Sequence, residues 1–116
     1  MGLERKDRIK DATTTTGTGT VSLSAVAPAG YRIFAGNITS GAIVRYLIES
    51  ADHAEWEVGE GVFTDASPDT LSRVTIYASS NSDALVDFSA GTKSVSMVFT
   101  ERDIRGTDFL TNQVFN

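Results

Sequence analysis

The sequence predicts an all-β protein, an antiparallel β-sandwich or barrel-like domain with roughly six to eight short strands. Apolar and polar residues alternate in several short segments, which is the period of strands that bury one face. Clusters of Gly, Pro, Asn and Ser separate these segments at intervals of about ten residues, as in antiparallel domains. Helical spacing does not persist over about ten residues anywhere, so no helix of consequence is expected.

The first half of the chain supplies three predicted strands. Val21 and Leu23 alternate with serines, and segment 31–35 repeats this alternation after a turn with Pro and Gly. Segment 43–49 carries apolar residues on both faces, so we expect it to be a central strand. Before them, the threonine run at 13–16 is β-branched, which favours a strand, although its glycine-rich continuation is also typical of a linker.

The second half of the chain supplies the remaining strands. In the first of them, Gly59 and Gly61 indicate a β-bulge or the close approach of another backbone. The predicted strands of this half are 55–63, 71–78, 85–88 and 95–99.

Trp56, the single tryptophan, is predicted to be a core anchor. It alternates with Val58, so both are expected to face the core while Glu55 and Glu57 face solvent. The alternative interpretation, a platform on which a sugar stacks, requires an exposed Trp56.

Both ends of the chain differ from the middle in composition. We predict a charged N-terminal arm at 1–11, a β-domain at 12–100 and a C-terminal tail at 101–116. Removing residues 1–11 is then expected to leave a folded domain that no longer binds its partner. The candidate partner-binding residues are apolar or basic side chains at the two ends, namely Leu3, Arg5, Arg8, Ile9, Lys10, Phe109, Leu110 and Phe115.

Composition excludes several classes of protein. The chain of 116 residues has no cysteine, which excludes disulfides and thiolate metal sites. Its net charge of −5 argues against a nucleic-acid partner. No apolar run is long enough to span a bilayer, and the charged N-terminus does not resemble a signal peptide. A soluble protein without a membrane partner, made in a cytoplasm, is expected.

No catalytic residue, cofactor or metal site is predicted. Segment 46–72 contains seven Asp and Glu residues and no Lys or Arg, but it lacks the spacing of a calcium loop. A solvated acidic face is the better interpretation, and a glycosidase carboxylate pair has no specific support. His53, the only histidine, has neither a second histidine for a metal nor a nucleophile motif to activate. The protein is therefore not expected to be an enzyme.

Several short motifs, taken together, resemble a β-domain of tailed bacteriophages and prophages. This domain occurs as a small virion protein or near the N-terminus of tail-fibre-like proteins, and the resemblance covers about residues 7–99. The motifs, in order, are Asp7-Arg8-Ile9-Lys10-Asp11 leading into TTTTGTGT, Gly30-Tyr31-Arg32-x-Phe34-Ala35, Trp56-Glu57-Val58-Gly59-x-Gly61, Leu71-Ser72-Arg73, Ser79-Ser80-Asn81, and Phe88-Ser89-Ala90-Gly91-Thr92-Lys93-x-Val95.

The resemblance implies a non-enzymatic structural protein of the virion. It would be synthesised in the bacterial host cytoplasm and bind capsid, neck or tail proteins as a decoration, neck or tail/fibre adaptor subunit, and it would form a homo-oligomer. The threonine run would then be ordered strand or strand entry. Residues 100–105 replace the proline-containing segment usual after the last strand, and the chain stops at Asn116, which favours a stand-alone subunit over a fibre shaft.

The alternative function is a carbohydrate-binding module for attachment to the host surface. It requires solvent-facing aromatic side chains, and the candidates are Tyr31, Tyr46, Trp56 and Tyr77.

Overall fold

The computed structural model describes residues 2–98 of the chain and confirms the all-β fold. Seven strands pair antiparallel in one curled sheet that forms a half-barrel, and residues 2–98 contain no helix. The strands are β1 (Lys10–Thr13), β2 (Val21–Ser22), β3 (Ile43–Ser50), β4 (Trp56–Thr64), β5 (Thr70–Leu71), β6 (Thr75–Ser79) and β7 (Lys93–Met97). Neighbours follow the order β1-β7-β3-β4-β5-β2, and β6 pairs with β4 beside this path.

Strand β3 is central, as its two apolar faces predict. It pairs with β7 on one side and with β4 on the other, so that Tyr46 lies between Met97 and Gly59. Val44, Tyr46 and Ile48 alternate with half-buried neighbours and are completely buried. This alternation gives the sheet an inner face, which holds the core, and an outer face.

The core is one cluster of apolar side chains on the inner face of the sheet. Strand residues supply part of it, and loop residues close it from the other side. Phe34 from a loop stacks on Phe63 of β4, with ring centroids 5.7 Å apart. Val86 and Phe88, from the segment between β6 and β7, are buried in the same cluster. The loops thus take the place of a second sheet.

The prediction of a strand at 31–35 is wrong. Only Arg32 forms a bridge there, with Ile9, and the chain then turns, with the N–H groups of Asn37 and Ile38 donating to the carbonyl of Phe34. Gly36 adopts a φ of 77°, a left-handed conformation that glycine tolerates. Phe34 and Ile38 insert into the core from this turn, whereas the apolar residues of the predicted alternation at 31, 33 and 35 are only half-buried.

The threonine run closes the curl of the sheet. Thr13 is the last residue of β1, and its hydroxyl donates to the carbonyl of Ser22 in β2 at 2.6 Å. The N–H of Ser22 donates to the hydroxyl of Thr15 at 3.0 Å. Side-chain hydrogen bonds thus join the two strands at the ends of the sheet. Only the first threonine of the run belongs to a strand, and the stretch is part of the domain.

The predicted boundary between a separate arm at 1–11 and the domain is wrong. Strand β1 begins at Lys10, and Ile9 is buried in the core with 2% exposure. The backbone of Leu3 forms a parallel bridge with Ile43. Since deletion of 1–11 removes a core side chain and half of β1, we expect it to destabilise the domain.

The face assignment of β4 is also wrong. Glu57 is completely buried on the inner face, together with Gly59, Gly61 and Phe63. Trp56, on the outer face, is half-buried and does not belong to the core cluster. It is therefore not the core anchor that the alternation predicts.

The predicted strand at 71–78 is divided into β5 and β6, and Val74 between them is 65% exposed. Segment 85–88 contributes core side chains, and within it only Phe88 forms a bridge, with Gly17. The C-terminal tail, with the candidate residues Phe109, Leu110 and Phe115, lies outside the described residues.

Candidate functional site

A buried ion pair between Glu57 and Arg73 joins β4 to the segment between β5 and β6. The guanidinium binds the carboxylate in bidentate geometry, with distances of 2.8 Å from Nε to Oε2 and 2.6 Å from Nη2 to Oε1. The exposed fractions of the two side chains are 1% for Arg73 and 0% for Glu57. A buried charge is costly unless it is paired and fully hydrogen-bonded, so the remaining contacts determine the role of this pair.

Arg73 uses its other donors on backbone carbonyls. Nη1 donates to Gly17 and Gly19 at 3.0 and 3.2 Å, and Nη2 also donates to Val86. The guanidinium carbon lies 5.1 Å from the centroid of the Phe88 ring. Arginine offers five N–H donors in a fixed fork, and here all five have acceptors. A single side chain therefore fixes both the glycine-rich stretch and the segment that fills the core.

Glu57 is equally well satisfied. Besides Arg73 it accepts the hydroxyl of Tyr46 at 2.7 Å and the N–H of Val86 at 2.9 Å. Burial alone would raise the pKa of Glu57, but the hydrogen bonds from Arg73, Val86 and Tyr46 outweigh it and lower that pKa. Burial, reinforced by the neighbouring carboxylate, raises the pKa of Tyr46. Glutamate stays ionised and tyrosine stays protonated at neutral pH.

The two glycines of β4 make room for this cluster. A Cβ atom on Gly59 would meet the hydroxyl of Tyr46, and one on Gly61 would collide with the carbonyl oxygen of Ser72. The register of β4 and β6 shifts between Val58 and Gly59, which is the irregularity that the sequence predicts. Glycine is required at 61 because the adjacent backbone occupies the position of a side chain.

The cluster of Glu57, Arg73 and Tyr46 acts as a structural clamp. Every charged donor and acceptor in it is occupied by the protein, so none remains to bind a ligand or to abstract a proton. Residues from four of the motifs that carry the sequence resemblance, including Gly17, Gly61 and Phe88, meet in or around this clamp. These motif residues have structural roles in the fold.

The ion pair is invisible to strand periodicity, because its partners are 16 residues apart. One feature of the sequence could have placed Glu57 on the correct face. Gly59 and Gly61 follow Glu57 at every second position, so the three residues lie on the same face of β4, and glycines that admit a neighbouring backbone belong on the packed face.

The acidic residues near the β3–β4 hairpin hold loops. Asp52 accepts the hydroxyl of Ser50 and the N–H of Ala54, and Glu55 accepts both the N–H and the hydroxyl of Ser89. These hydrogen bonds lower the pKa of both carboxyl groups, the opposite of what a general acid needs. In the part of the chain that the structure describes, no group of three His, Cys, Asp or Glu side chains has the geometry of a metal site.

His53 lies at the tip of this hairpin with its side chain 74% exposed, and its Nδ1 is 2.9 Å from Glu49. Lys93, in contrast, is buried and donates to the carbonyl of Ser89 at 2.8 Å. Burial lowers the pKa of Lys93, and the nearby carboxylate of Glu55 partly opposes this shift. His53 and Lys93 therefore each contact a residue four positions earlier in the chain, and these contacts are structural.

The outer face of the sheet is a candidate contact surface. We define it by eight residues of the two longest strands, which are all half-buried although core residues on the opposite face are buried completely. They are Ile43, Arg45, Leu47 and Glu49 of β3, and Trp56, Val58, Glu60 and Val62 of β4.

The polar centre of the outer face is internally paired. Glu60 accepts the hydroxyl of Tyr77 at 2.6 Å and lies 3.7 Å from Nε of Arg45. Burial and Glu60 raise the pKa of Tyr77. Apolar side chains flank this group along both strands, because Ile43 is opposite Val62 and Leu47 is opposite Val58.

The candidate partner-binding residues near the N-terminus fall into two groups. Ile9 is buried and is not available to a partner. Leu3 is 38% exposed, and the guanidinium carbon of Arg8 and the ammonium of Lys10 lie 3.9 and 5.1 Å from the centroid of the Tyr31 ring. Arg5 is exposed in the same stretch. Leu3, Arg5 and Arg8 line one cavity together with Arg45 of β3 and with Met97 and Val98 at the end of the described residues.

The aromatic side chains proposed for sugar binding do not share one surface. Tyr46 is buried in the clamp, Trp56 and Tyr77 belong to the outer side, and Tyr31 is covered by Arg8. A sugar platform needs at least one freely exposed ring face, and every aromatic residue that the structure describes is buried or half-buried.

Among residues 2–98, no helix has the length and apolar character needed to cross a membrane. No protein-family model, curated protein or solved structure matches the chain.

Proposed function

We propose that this protein is a non-enzymatic structural subunit of a bacteriophage particle that acts through protein–protein contacts. In this proposal it is a decoration, neck or tail/fibre adaptor subunit, made in the host cytoplasm and incorporated into the virion. The motif resemblance supplies the phage context, and the chemistry of the molecular surface supports the mode of action.

The observation that carries the proposal is the outer face. An antiparallel sheet that packs on one side usually presents polar side chains on the other. Here Ile43, Leu47, Val58 and Val62 occupy that other side, and Trp56 adds a large aromatic surface at one end. These side chains are half-buried, and a surface that mixes apolar residues with polar ones between them has the composition of a protein interface.

The charged side chains that the protein itself engages support the same proposal. Glu57 and Arg73 bind each other in the clamp, and Asp52 and Glu55 accept hydrogen bonds that hold loops. The clamp ties β4 to the segments of Arg73 and Val86, and a site held in place by such contacts is what a structural subunit requires.

Quantitative mass spectrometry of purified particles from the source phage tests the proposal. A copy number near that of the major capsid protein indicates a decoration subunit, and a few copies indicate the neck, tail or fibre base. Absence from intact particles would overturn the virion assignment.

A further inference from the structure

The edge of β3 that faces β7 is shared by two segments of the chain. Strand β7 occupies most of it, and the N–H of Val98 adds one hydrogen bond to the carbonyl of Arg45, at 3.1 Å. Further along, at Ile43, the neighbour is the N-terminal segment, residues 2–8, which forms a parallel bridge with β3 through Leu3. Alternate residues of a strand direct their backbone groups to the same side, so Arg45 and Ile43 face the same neighbouring position.

The N-terminal segment uses the hydrogen-bonding groups that the register of β7 assigns to a later residue. The N–H of Ile43 donates to the carbonyl of Gly2 at 3.1 Å, and the N–H of Glu4 donates to the carbonyl of Ile43 at 2.8 Å. Each step forward on β7 is one step back on β3, so the same register, continued beyond its last pair, would place Thr100 opposite Ile43. Thr100 lies outside the described residues. Only one of the two segments can pair with Ile43 on this side.

The N-terminal segment lies outside the core. Leu3 is 38% exposed, and none of residues 2–8 belongs to the core cluster, which begins at Ile9. Arg8, directly before Ile9, adopts a φ of 63°, which is uncommon for a residue with a side chain, and the chain turns there. Release of the segment up to this turn therefore removes no core side chain.

The sequence that follows Val98 is suited to the vacated edge. Phe99 comes two positions after Met97, which packs against the core, so in the continued register Phe99 would face the inner side of the sheet beside the buried Val44. Threonine, the next residue, is β-branched and favours strands. Because both backbone groups of Ile43 are paired in either arrangement, neither arrangement leaves them without a partner.

We propose that the end of β3 is a strand-exchange site, where residues 99–100 of the same chain replace residues 2–4 when the N-terminal segment leaves the sheet. Strand β7 then becomes longer, and the released segment offers its backbone groups to the open sheet edge of another protein. The exchange is a property of the chain by itself. Use of the released segment by a partner in the particle rests on the proposed function.

Nuclear magnetic resonance of full-length variants tests the exchange. Glu4→Pro removes the N–H that binds the carbonyl of Ile43, and Glu4→Ala is the matched control because it changes the side chain and keeps this N–H. In Glu4→Pro we expect a cross-strand contact between the α-protons of Phe99 and Val44, and hydrogen exchange of the Thr100 amide slowed roughly tenfold or more. Wild type and Glu4→Ala are expected to show neither change.

A double-mutant cycle gives a second readout. Thr100→Pro removes the N–H that takes over from Glu4 in the exchanged arrangement. It is expected to change the equilibrium constant of unfolding by less than about twofold in the wild type and to raise it roughly fivefold in Glu4→Pro, as for the loss of one hydrogen bond. Urea unfolding measures both changes. If Glu4→Pro does not fold, Leu3→Gly replaces it, since glycine weakens a strand and keeps every N–H.

Three results would overturn the exchange. Glu4→Pro is folded but shows no contact between Phe99 and Val44; or the wild type shows this contact as strongly as Glu4→Pro; or Thr100→Pro has the same effect in both backgrounds. If the exchange is absent but the protein is present in purified particles, only the exchange is contradicted. If the exchange occurs but particles lack the protein, the virion assignment is contradicted and the exchange stands.

Discussion

At the scale of single residues, Arg73 has a role that lysine cannot fill. Its guanidinium holds one carboxylate in bidentate geometry and reaches three backbone carbonyls, of Gly17, Gly19 and Val86. An ammonium has three donors at one point and cannot span these acceptors. The residue therefore organises three chain segments.

We expect Arg73→Lys to lower the free energy of unfolding by about 3 kcal/mol, because Glu57 is left buried with an incomplete set of partners. Urea unfolding followed by circular dichroism measures the loss. Arg32→Lys, at an exposed position, is the control and is expected to stay within about 0.5 kcal/mol of wild type. Equal stability of both variants would show that the clamp contributes nothing.

Stability should depend on pH through Glu57. Its pKa is lower in the folded protein than in the unfolded chain, so acidification protonates the unfolded chain first. The contribution of Glu57 is complete above about pH 4.3, the usual pKa of a glutamate, and it is lost as the pH falls through the lowered folded value.

The variant Glu57→Gln isolates this effect, because Asp52, Glu55 and the other carboxyl groups titrate equally in both proteins. The wild type is expected to be more stable than the variant at pH 7, and the difference should shrink toward pH 3. A difference that is the same at both values of pH contradicts an ionised Glu57.

At the scale of elements, alternation located β3, β4 and β7 and identified β3 as central. It failed for the face of β4, because hydropathy ranks Trp56 and Val58 above Glu57 as core residues. The buried carboxylate depends on Arg73, a contact between distant segments that no local pattern contains. Segment 31–35 was mistaken for a strand because its residues alternate in hydropathy. In the structure only Phe34 of this segment is buried in the core, and it enters from a turn.

Gly61→Ala is expected to cost at least about 2 kcal/mol, because the added methyl group collides with the backbone carbonyl of Ser72 between β5 and β6. Gly19→Ala is the matched control, since a Cβ atom there meets nothing within 4 Å. Thermal unfolding of the two variants compares them. A larger loss for Gly19→Ala contradicts the packing of β4.

The closure of the sheet between β1 and β2 predicts different roles within the threonine run. Thr13→Val keeps the shape of the side chain but leaves the carbonyl of Ser22 without the Thr13 hydroxyl, at an expected cost of about 1–2 kcal/mol. Thr14→Val, at an exposed position, is expected to be neutral within about 0.5 kcal/mol. Equal urea midpoints for the two variants would contradict closure by the Thr13 hydroxyl.

At the scale of the whole molecule, the sequence predicted the fold class because alternation and turn residues are local properties. The candidate contact surface could be predicted only in part from the sequence. The two apolar faces of β3 pointed to it, but the register that places Leu47 beside Val58 comes from strand pairing. Ile9 was predicted to bind a partner because the segment around it is densely charged and shows no strand pattern. Its burial depends on its neighbours in the folded sheet, which the local sequence does not reveal.

The proposed role of the outer face in the particle is tested most directly by incorporation. Host cells that supply wild type, Leu47→Lys or Val26→Lys in place of the phage-encoded copy are infected, and the protein in purified particles is quantified by mass spectrometry. Val26→Lys is the matched control, because Val26 is 60% exposed and lies outside the outer face. We expect normal copy numbers for wild type and Val26→Lys and a loss of roughly tenfold or more for Leu47→Lys, as for a substitution at the centre of an interface. Equal incorporation of all three proteins would contradict a contact through the outer face.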